Sequence, residues 1–468
     1  MPGTSVTLGF AGGAAEVDEA GAVTLHVEGL PGAVRVTLRG ARLVPVLADA
    51  EEAEHEGRVA ASDVGQRVTA GEHCQFRWVV DVPEDAADAT LELDVTLEDT
   101  HAAWLWPSGA EGFVVVLPRR GAGPVLVLHT VQAELRISPA ARQGDGRLRL
   151  AITPSPMPAG RQVVILRATV MPALIAAATL LPSWYEPVTL DVGDEWTAPL
   201  ADLGLDCEPP VTLDFTEDES QVRLTAPSGK HRVGVHGRRG VTDLVLEVAP
   251  AIADVLAEVA EAQRPDDGLD GAAAFVLHRA VESGLLQRTP AVEDSLDRFD
   301  WSEKPGALAV AFGSERALAE GEREMARVAL QRSEALEEGP GRPRVRSLVW
   351  LAASALGVGS QPPPLGDGDP DLEGLEVDLA LGRRTQASTD RLAAAINSLG
   401  AGLPGQPVGL GLVEQAQLIG LLETCPDDWP EAPLAGFTAQ AARRRILASY
   451  ATGEVSDPTP LAWLLVYG

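Results

Sequence analysis

The chain has 468 residues, of which 45% are hydrophobic and 22% charged, a composition typical of a globular protein of about two to four domains. Its formal net charge of −31 disfavours nucleic-acid backbones and anionic membrane surfaces as partners, because both repel an acidic protein. Three widely spaced cysteines form neither a disulfide framework nor a CxxC metal motif. The sequence shows no secretory signal and no apolar run of about 20 residues, so we expect a cytoplasmic protein without a membrane span.

Residues 1–118 show the period-two alternation of an antiparallel β-sandwich. Apolar residues alternate with polar ones at 34–38, 76–82 and 91–97, and Gly, Pro and Asp turns separate these segments. The Pro- and Gly-rich stretch 118–124 predicts a joint. A second series of alternating segments follows it, so residues 124–249 are predicted to form a second sandwich.

A similar passage occurs in both β regions. Residues 71–74 lead past Pro83 to an alternating segment that ends in Thr-Leu-Glu-Asp, and residues 193–196 lead past Pro209 to one that ends in Thr-Glu-Asp. This likeness suggests two sandwiches built on one plan.

From residue 250 the period changes, and residues 250–468 are predicted to form an α-helical domain of about seven helices. A loop rich in Pro, Gly and Asp interrupts it at 359–375. The apolar C-terminus should pack on the helical core, since it would be costly in water. The predicted helical segments are 272–287, 306–338, 344–356, 385–399, 408–424, 438–450 and 461–467. The predicted fold class is therefore multidomain β plus α, with two tandem antiparallel β-sandwiches followed by helices.

The order of motifs over residues 14–118 resembles the N-terminal half of an arrestin-like fold, as in bacterial sporulation-control proteins. The matching segments are 23–29, 34–43, the Ala-Gly-Glu turn at 70–72, and the aromatic strand 76–83 that ends in Val-Pro. The resemblance extends over roughly the first 248 residues, and immunoglobulin-like sandwiches are the alternative. It implies an adaptor that binds partners through sheet edges and loops, and it implies no catalytic residues.

Four aspartates mark a candidate metal site. Asp367, Asp369 and Asp371 alternate, and Asp378 lies at the twelfth position of a calcium-type loop. Leu372 stands where such a loop requires glycine, so a solvated acidic loop is the alternative to Ca²⁺ binding. Asp270, in a second acidic cluster, is predicted to cap the helix that follows it.

Aromatic and basic residues supply the candidate partner-binding positions. Trp104 and Trp106 are predicted in a loop, with Trp184 and Tyr185 as their counterparts in the second sandwich; each pair is either an interface or a plug over the sandwich end. The hairpin 228–240 is the densest basic patch, and residues 443–445 form a smaller one that suits the end of a helix. The candidate contacts of the hairpin are Arg232, Arg238 and Arg239.

The sequence contains no phosphate loop, nucleophile elbow, HExxH or dinucleotide-binding motif. The leading prediction is a non-catalytic interaction protein that binds a protein partner or a copy of itself, with no cofactor other than the Ca²⁺ considered above. The alternative is an enzyme or regulatory subunit with a pocket between its β and α parts.

Overall fold

The computed structural model contains four mostly antiparallel sheets in about the first 250 residues, followed by α-helices. The structure describes residues 6–39, 43–44, 58–62, 66–82, 91–137, 147–153, 160–199, 203–216, 220–263, 268–299, 306–359 and 372–468.

The first sandwich consists of a seven-stranded and a nine-stranded sheet. Alternate apolar residues from both, among them Val36, Phe76, Leu93 and Leu150, form its buried core. In spatial order the seven-stranded sheet contains β1 (Val6–Phe10), β2 (Gly13–Val17), β3 (Val23–Val27), β4 (Ala33–Arg39), β9 (Leu91–Thr96), β14 (Arg147–Thr153) and β13 (Glu134–Ile137). The nine-stranded sheet contains β23 (Gln406–Val408), β10 (His101–Trp106), β11 (Phe113–Pro118), β12 (Val125–Gln132), β15 (Gly160–Met171), β8 (Cys74–Val82), β7 (Gln66–Ala70) and β6 (Arg58–Ser62), with β5 (Leu43–Val44) also paired to β8.

The predicted joint at 118–124 is a connection inside one sheet. Strands β11 and β12, on either side of it, pair antiparallel with Val116 opposite Leu126, and β15 then pairs with β8. The first sandwich therefore continues to Met171. Pro and Gly are equally typical of linkers and of turns between paired strands, so composition alone did not separate the two cases.

A 3-10 helix (Leu174–Leu180) leads into the second, smaller sandwich. Its core contains Trp196, Leu224, Val233 and Leu244, all buried. A four-stranded sheet contains β16 (Thr189–Asp191), β22 (Gly240–Ala249), β21 (Gly229–Gly237) and β18 (Gly204–Cys207), and a three-stranded sheet contains β17 (Trp196–Pro199), β20 (Gln221–Thr225) and β19 (Thr212–Phe215).

The two similar sequence passages occupy different structural positions. The first leads to β9, a largely buried strand in the interior of its sheet, whereas the second leads to β19, a largely exposed edge strand. The likeness is one of local strand pattern, and the two sandwiches differ in size and strand order.

Eleven α-helices follow among the described residues, more than the seven or so predicted, because short helices such as α1 (Ile252–Ala262) and α3 (Pro290–Asp297) were not among the predicted segments. The predicted single helix 306–338 is divided at Gly321, which adopts a left-handed conformation with φ of 71° and ends the first half. The side chain of Asp270 accepts a hydrogen bond from the Ala273 amide at 2.8 Å and caps its helix as predicted. No described helix combines the length and apolar character needed to cross a bilayer. The helices are α1 (Ile252–Ala262), α2 (Gly271–Glu282), α3 (Pro290–Asp297), α4 (Ala307–Glu320), α5 (Arg323–Glu334), α6 (Arg342–Ala355), α7 (Leu372–Ala380), α8 (Gln386–Ser398), α9 (Leu412–Glu423), α10 (Ala432–Ala451) and α11 (Pro458–Tyr467).

The apolar C-terminal helix α11 is buried in the helical domain, as the sequence predicts. Its last turn approaches Glu376, a buried carboxylate of α7 that accepts hydrogen bonds from the amides of Gly341 (3.1 Å) and Arg344 (2.7 Å). Glu376 also interacts with the side chain of Tyr467, and burial raises its pKa to about 7. One buried acid thus links α6, α7 and α11.

This acid predicts a pH-dependent stability. Between pH 4.5, the ordinary pKa, and about 7, the folded protein retains a proton on Glu376 that the unfolded chain releases. The contribution of this group to the free energy of unfolding should therefore fall as pH rises, by up to about 1.4 kcal/mol per pH unit.

Urea unfolding across this pH range checks the prediction. Wild type should lose stability relative to Glu376→Gln as pH increases. Glu414→Gln, the same change at the exposed start of α9, is the matched control. A wild-type-to-Glu376→Gln difference that does not vary with pH would contradict the assignment.

Candidate functional site

The helical domain adds a strand to the first sandwich. Strand β23, between α8 and α9, pairs antiparallel with β10, with Gln406 opposite Leu105 and Val408 opposite Ala103. The edge of β10 is thereby covered, as sheet edges in stable proteins commonly are.

Trp104, predicted to lie in a loop, is instead a fully buried residue of β10. Its indole Nε1 donates a hydrogen bond to the carbonyl of Pro404 at 2.8 Å. Its ring lies against Gly400, where φ is 92° and an added Cβ would be 2.3 Å from the ring. Trp104 therefore joins the sandwich to the helical domain and is not exposed to a partner.

The three arginines at 443–445 also connect parts of this chain. Arg445 pairs with Glu247 of β22 at 3.2 Å and lies 5.3 Å from the centre of the Trp104 ring. Arg444 pairs with Asp191 of β16 at 2.5 Å, and Arg443 pairs with Glu423 of α9. Ion pairs with neighbouring elements, rather than the dipole of α10, account for this cluster.

A cleft of about 590 Å³ lies where the two sandwiches and the helical domain meet. It contains both apolar and charged side chains, as binding clefts commonly do. The lining residues are Trp106, Pro107, Ser108, Arg136, Ile137, Val188, Lys230, Arg232, Asp243, Val245, Glu247, Gly405, Gln406 and Glu454.

The cleft opens where the segment between strands β13 and β22 ends. The short segment 108–110 lies between β13 and β22: Gly109 exchanges hydrogen bonds with Leu135 (2.8 and 2.9 Å), and the Asp243 amide donates to the Ser108 carbonyl (2.8 Å). On the N-terminal side of Ser108 the chain departs into β10, and nothing described fills the space between β13 and β22.

Two main-chain positions face this space. In a strand, every second residue directs its N–H and C=O to the same side. The amides of Asp243 and Glu247 donate hydrogen bonds to Ser108 and Val188, on the side of β22 that faces away from β21. The N–H and C=O of Val245, which lies between them in β22, therefore also face away from β21. Ile137 lies two residues after Leu135, so its N–H and C=O face the same gap. Within the described part of the chain no residue on this side bonds the main chain of Val245 or Ile137.

The charged residues of the cleft are mostly engaged. Asp243 pairs with Arg136, Glu247 with Arg445, and Glu454 with Lys230 at 2.6 Å. Arg232 is exposed, and no described residue forms an ion pair with it. Among the described lining residues the cleft therefore offers one cation without an ion pair, Arg232, whereas each carboxylate is paired with a cation.

The remaining aromatic candidates lie beside this cleft. Trp106, also predicted to lie in a loop, is instead the last residue of β10 and only 5% exposed. It makes edge contacts with Phe113 and Tyr185, at centroid distances of 5.3 and 5.7 Å. Tyr185 and Trp184 are half-buried against the same core, and burial raises the pKa of Tyr185. The structure thus brings Trp106, Tyr185 and Arg232 to one region.

The other two hairpin arginines lie at the turn between β21 and β22. Arg239 pairs with Glu111 at 2.7 Å and donates to the Thr130 carbonyl, so it links the hairpin to the first sandwich. Arg238 is exposed.

The candidate calcium loop is described only at its end. Asp378 lies in α7 and pairs with Arg383 and Arg391 at 3.4 and 3.5 Å. Asp367, Asp369 and Asp371 lie outside the described residues. Among the described residues, no three His, Cys, Asp or Glu side chains are grouped to hold a metal ion.

Ile137 and Val245 are not among the site residues predicted from the sequence, although one signal is present. In β22 the residues Leu244, Leu246 and Val248 form the core face, and Val245 is an apolar residue between two acids on the polar face. An exposed apolar residue on a polar strand face is a feature of contact surfaces.

Comparisons with known proteins give little. No protein-family model matches the chain, and no curated protein is significantly similar to it. A solved polysaccharide lyase structure is similar at a TM-score of 0.47 and 10% sequence identity, over 92% of this chain and 80% of that chain. A likeness at this level carries no argument about activity, and none of these comparisons names an arrestin-like protein.

The largely buried pair Arg445–Glu247, with side chains 11% and 12% exposed, predicts a sizeable effect of removing one partner. Arg445→Met should lower the free energy of unfolding by about 2–3 kcal/mol, because it leaves the largely buried Glu247 carboxylate without its partner. Urea unfolding measures this, with Arg384→Met, at an exposed pair with Glu431, as the near-neutral control. Adding Glu247→Gln should recover part of the loss; if it recovers nothing, the ion pair is not the cause.

Gly400 predicts a second effect at the same junction. Gly400→Ala should destabilise the protein by about 2–4 kcal/mol, because it places a Cβ against the Trp104 ring at a positive φ. Gly436→Ala, in α10 with open space around it, should be neutral or stabilising by up to about 1 kcal/mol. Equal unfolding midpoints for the two variants would refute the close contact.

Proposed function

We propose that this chain is a non-catalytic interaction protein, an adaptor or a subunit of a larger assembly, that binds an extended segment of a protein partner in the cleft. The observation that carries the proposal is the pair of open strand edges at Ile137 and Val245. An extended peptide binds such edges by forming main-chain hydrogen bonds as an added strand.

The spacing suits one inserted strand. Strands β13 and β22 both pair with the segment 108–110, so they lie two strand spacings apart there, about 9.5 Å. A partner segment would continue the line of residues 108–110 and bond to both edges. The half-exposed Ile137 and Val245, with Trp106, favour an apolar side chain, and Arg232 favours an acidic one.

The resemblance of the N-terminal sequence to arrestin-like sandwiches supports the same class of function, because that family binds partners through sheet edges and loops. We extend the proposal to a cytoplasmic location, as the sequence predicts. The segment bound in the cleft belongs either to a different protein or to a second copy of this chain.

One observation favours the enzyme alternative. The cleft lies between the β and α parts, and its volume of about 590 Å³ is within the range of small-molecule sites. Against it, Asp243, Glu247 and Glu454, the carboxylates among the described lining residues, are all held in ion pairs, which disfavours a role as a general base.

Site-specific photocrosslinking in cells tests the proposal. A photoreactive amino acid at Ile137 or at Val245 should crosslink to the same protein, through one contiguous segment. The same amino acid at Leu351, an exposed residue of α6, should not capture that protein. A crosslink to a second copy would identify a homo-oligomer.

A synthetic peptide of the captured segment should then slow hydrogen exchange at the Val245 amide of the purified protein, because that amide acquires an acceptor. Crosslinking from Leu351 alone, or no protein captured from either cleft position, would overturn the proposal and direct attention to small molecules.

A further inference from the structure

The open edge of β22 in the cleft is bounded at both ends by this chain. At one end the Asp243 amide donates to the Ser108 carbonyl, at 2.8 Å. At the other end the Glu247 amide donates to the Val188 carbonyl, also at 2.8 Å. The stretch of β22 from Asp243 to Glu247 is about 14 Å long, at about 3.4 Å per residue. An added strand therefore has room for about three extended residues beside Val245.

This short opening favours the end of a chain over its interior. A continuous segment would have to bend out of the sheet twice, once at Ser108 and once at Val188. A segment that ends beside one of these residues bends only once. Since each bend fixes further backbone dihedral angles at an entropic cost, a chain terminus binds with the smaller loss.

The strand directions indicate which terminus this is. Both β13 and β22 are antiparallel to the segment 108–110. A bound segment that runs in the same direction as 108–110 is therefore antiparallel to both edges, and antiparallel pairing is slightly more stable than parallel pairing. In that direction the C-terminal residue of the bound segment lies next to Ser108.

Ser108 supplies two hydrogen-bond donors at this end of the opening. It lines the cleft and is 2% exposed. Its hydroxyl Oγ is buried and forms no hydrogen bond with a described atom. Its main-chain N–H donates to no described main-chain acceptor. Buried donors without acceptors are costly, and a carboxylate offers an acceptor to each of them, whereas an ammonium group offers none.

The charges of the cleft also suit a carboxylate. Arg232 lies opposite Val245 in the pairing of β21 with β22, so the two side chains are on the same face. Arg232 is exposed, and no described residue forms an ion pair with it. Asp243, Glu247 and Glu454 are each paired with a cation, which reduces their repulsion of an added negative charge.

We propose that the segment bound in the cleft is the C-terminus of the partner chain. Its terminal carboxylate accepts hydrogen bonds from the N–H and hydroxyl of Ser108, and Arg232 supplies the opposite charge. The last residue of the segment pairs with the main chain of Ile137, and the residue before it pairs with that of Val245. This inference rests on the proposed function and names the part of the partner that binds.

Two display libraries of the same random peptides test the inference, with the full chain as bait. In one library each peptide ends in a free carboxylate, and in the other a carrier protein follows each peptide. Enriched peptides should come from the first library. Each is then synthesised as the free acid and as the amide, and the acid should bind at least about tenfold more tightly.

Two variants test the residues that hold the carboxylate. Ser108→Ala should weaken binding of the acid at least about threefold, whereas Ser314→Ala, which removes a buried hydroxyl of α4 that also has no partner among the described atoms, should not. Arg232→Gln should weaken the acid by a similar factor and leave the amide unchanged. Arg223→Gln, the same charge change at an exposed residue of β20, should affect neither form.

The outcomes separate this inference from the proposed function. If acid and amide bind equally and both slow hydrogen exchange at the Val245 amide, an internal segment binds as the added strand. That result would overturn the inference and leave the proposed function standing. Enrichment from neither library would overturn both. Equal weakening of acid and amide by Arg232→Gln would overturn the assignment of this arginine to the carboxylate.

Discussion

The pairing of β23 with β10, fixed by the burial of Trp104, is the constraint on which the arrangement of the molecule depends. A three-residue strand from the helical domain completes a sheet of the first sandwich, and the Trp104 indole enters the loop around Gly400 and Pro404. Because hydrogen bonds, ring packing and the nearby Arg445 act at one place, the helical domain is held against the sheet in one orientation.

The geometry of the cleft follows from this attachment. Trp106 continues the same strand, and Gly405 and Gln406 of the cleft wall adjoin and begin β23. The ion pairs of Arg444 and Arg445 hold α10 on the second sandwich, which brings Glu454 to Lys230. The gap between β13 and β22 is therefore bounded by segments that are each attached to another part of the chain.

Strand and helix patterns were predictable from sequence wherever the period was regular. The alternating segments correspond to β8, β9 and the strands of the second sandwich, and the change of period at residue 250 marks the start of the helices. Sandwich boundaries were not predictable, because a Pro-Gly turn between paired strands has the composition of a linker. The cleft was also not predictable from the sequence, because Ile137 and Val245 are far apart in the chain. Their strands are brought close together by Gly109, which pairs with both of them. Trp104 was misplaced because a buried tryptophan and an exposed one have the same local pattern.

The attachment of β23 also affects how the chain is made. Trp104 and its acceptor Pro404 are 300 residues apart. At about 5–20 residues per second, a ribosome needs roughly 15–60 s to synthesise the intervening chain. During that time β10 is an open sheet edge of apolar residues, the kind of template on which nascent chains aggregate. The first sandwich therefore acquires the strand that covers this edge only after almost the whole chain has been made.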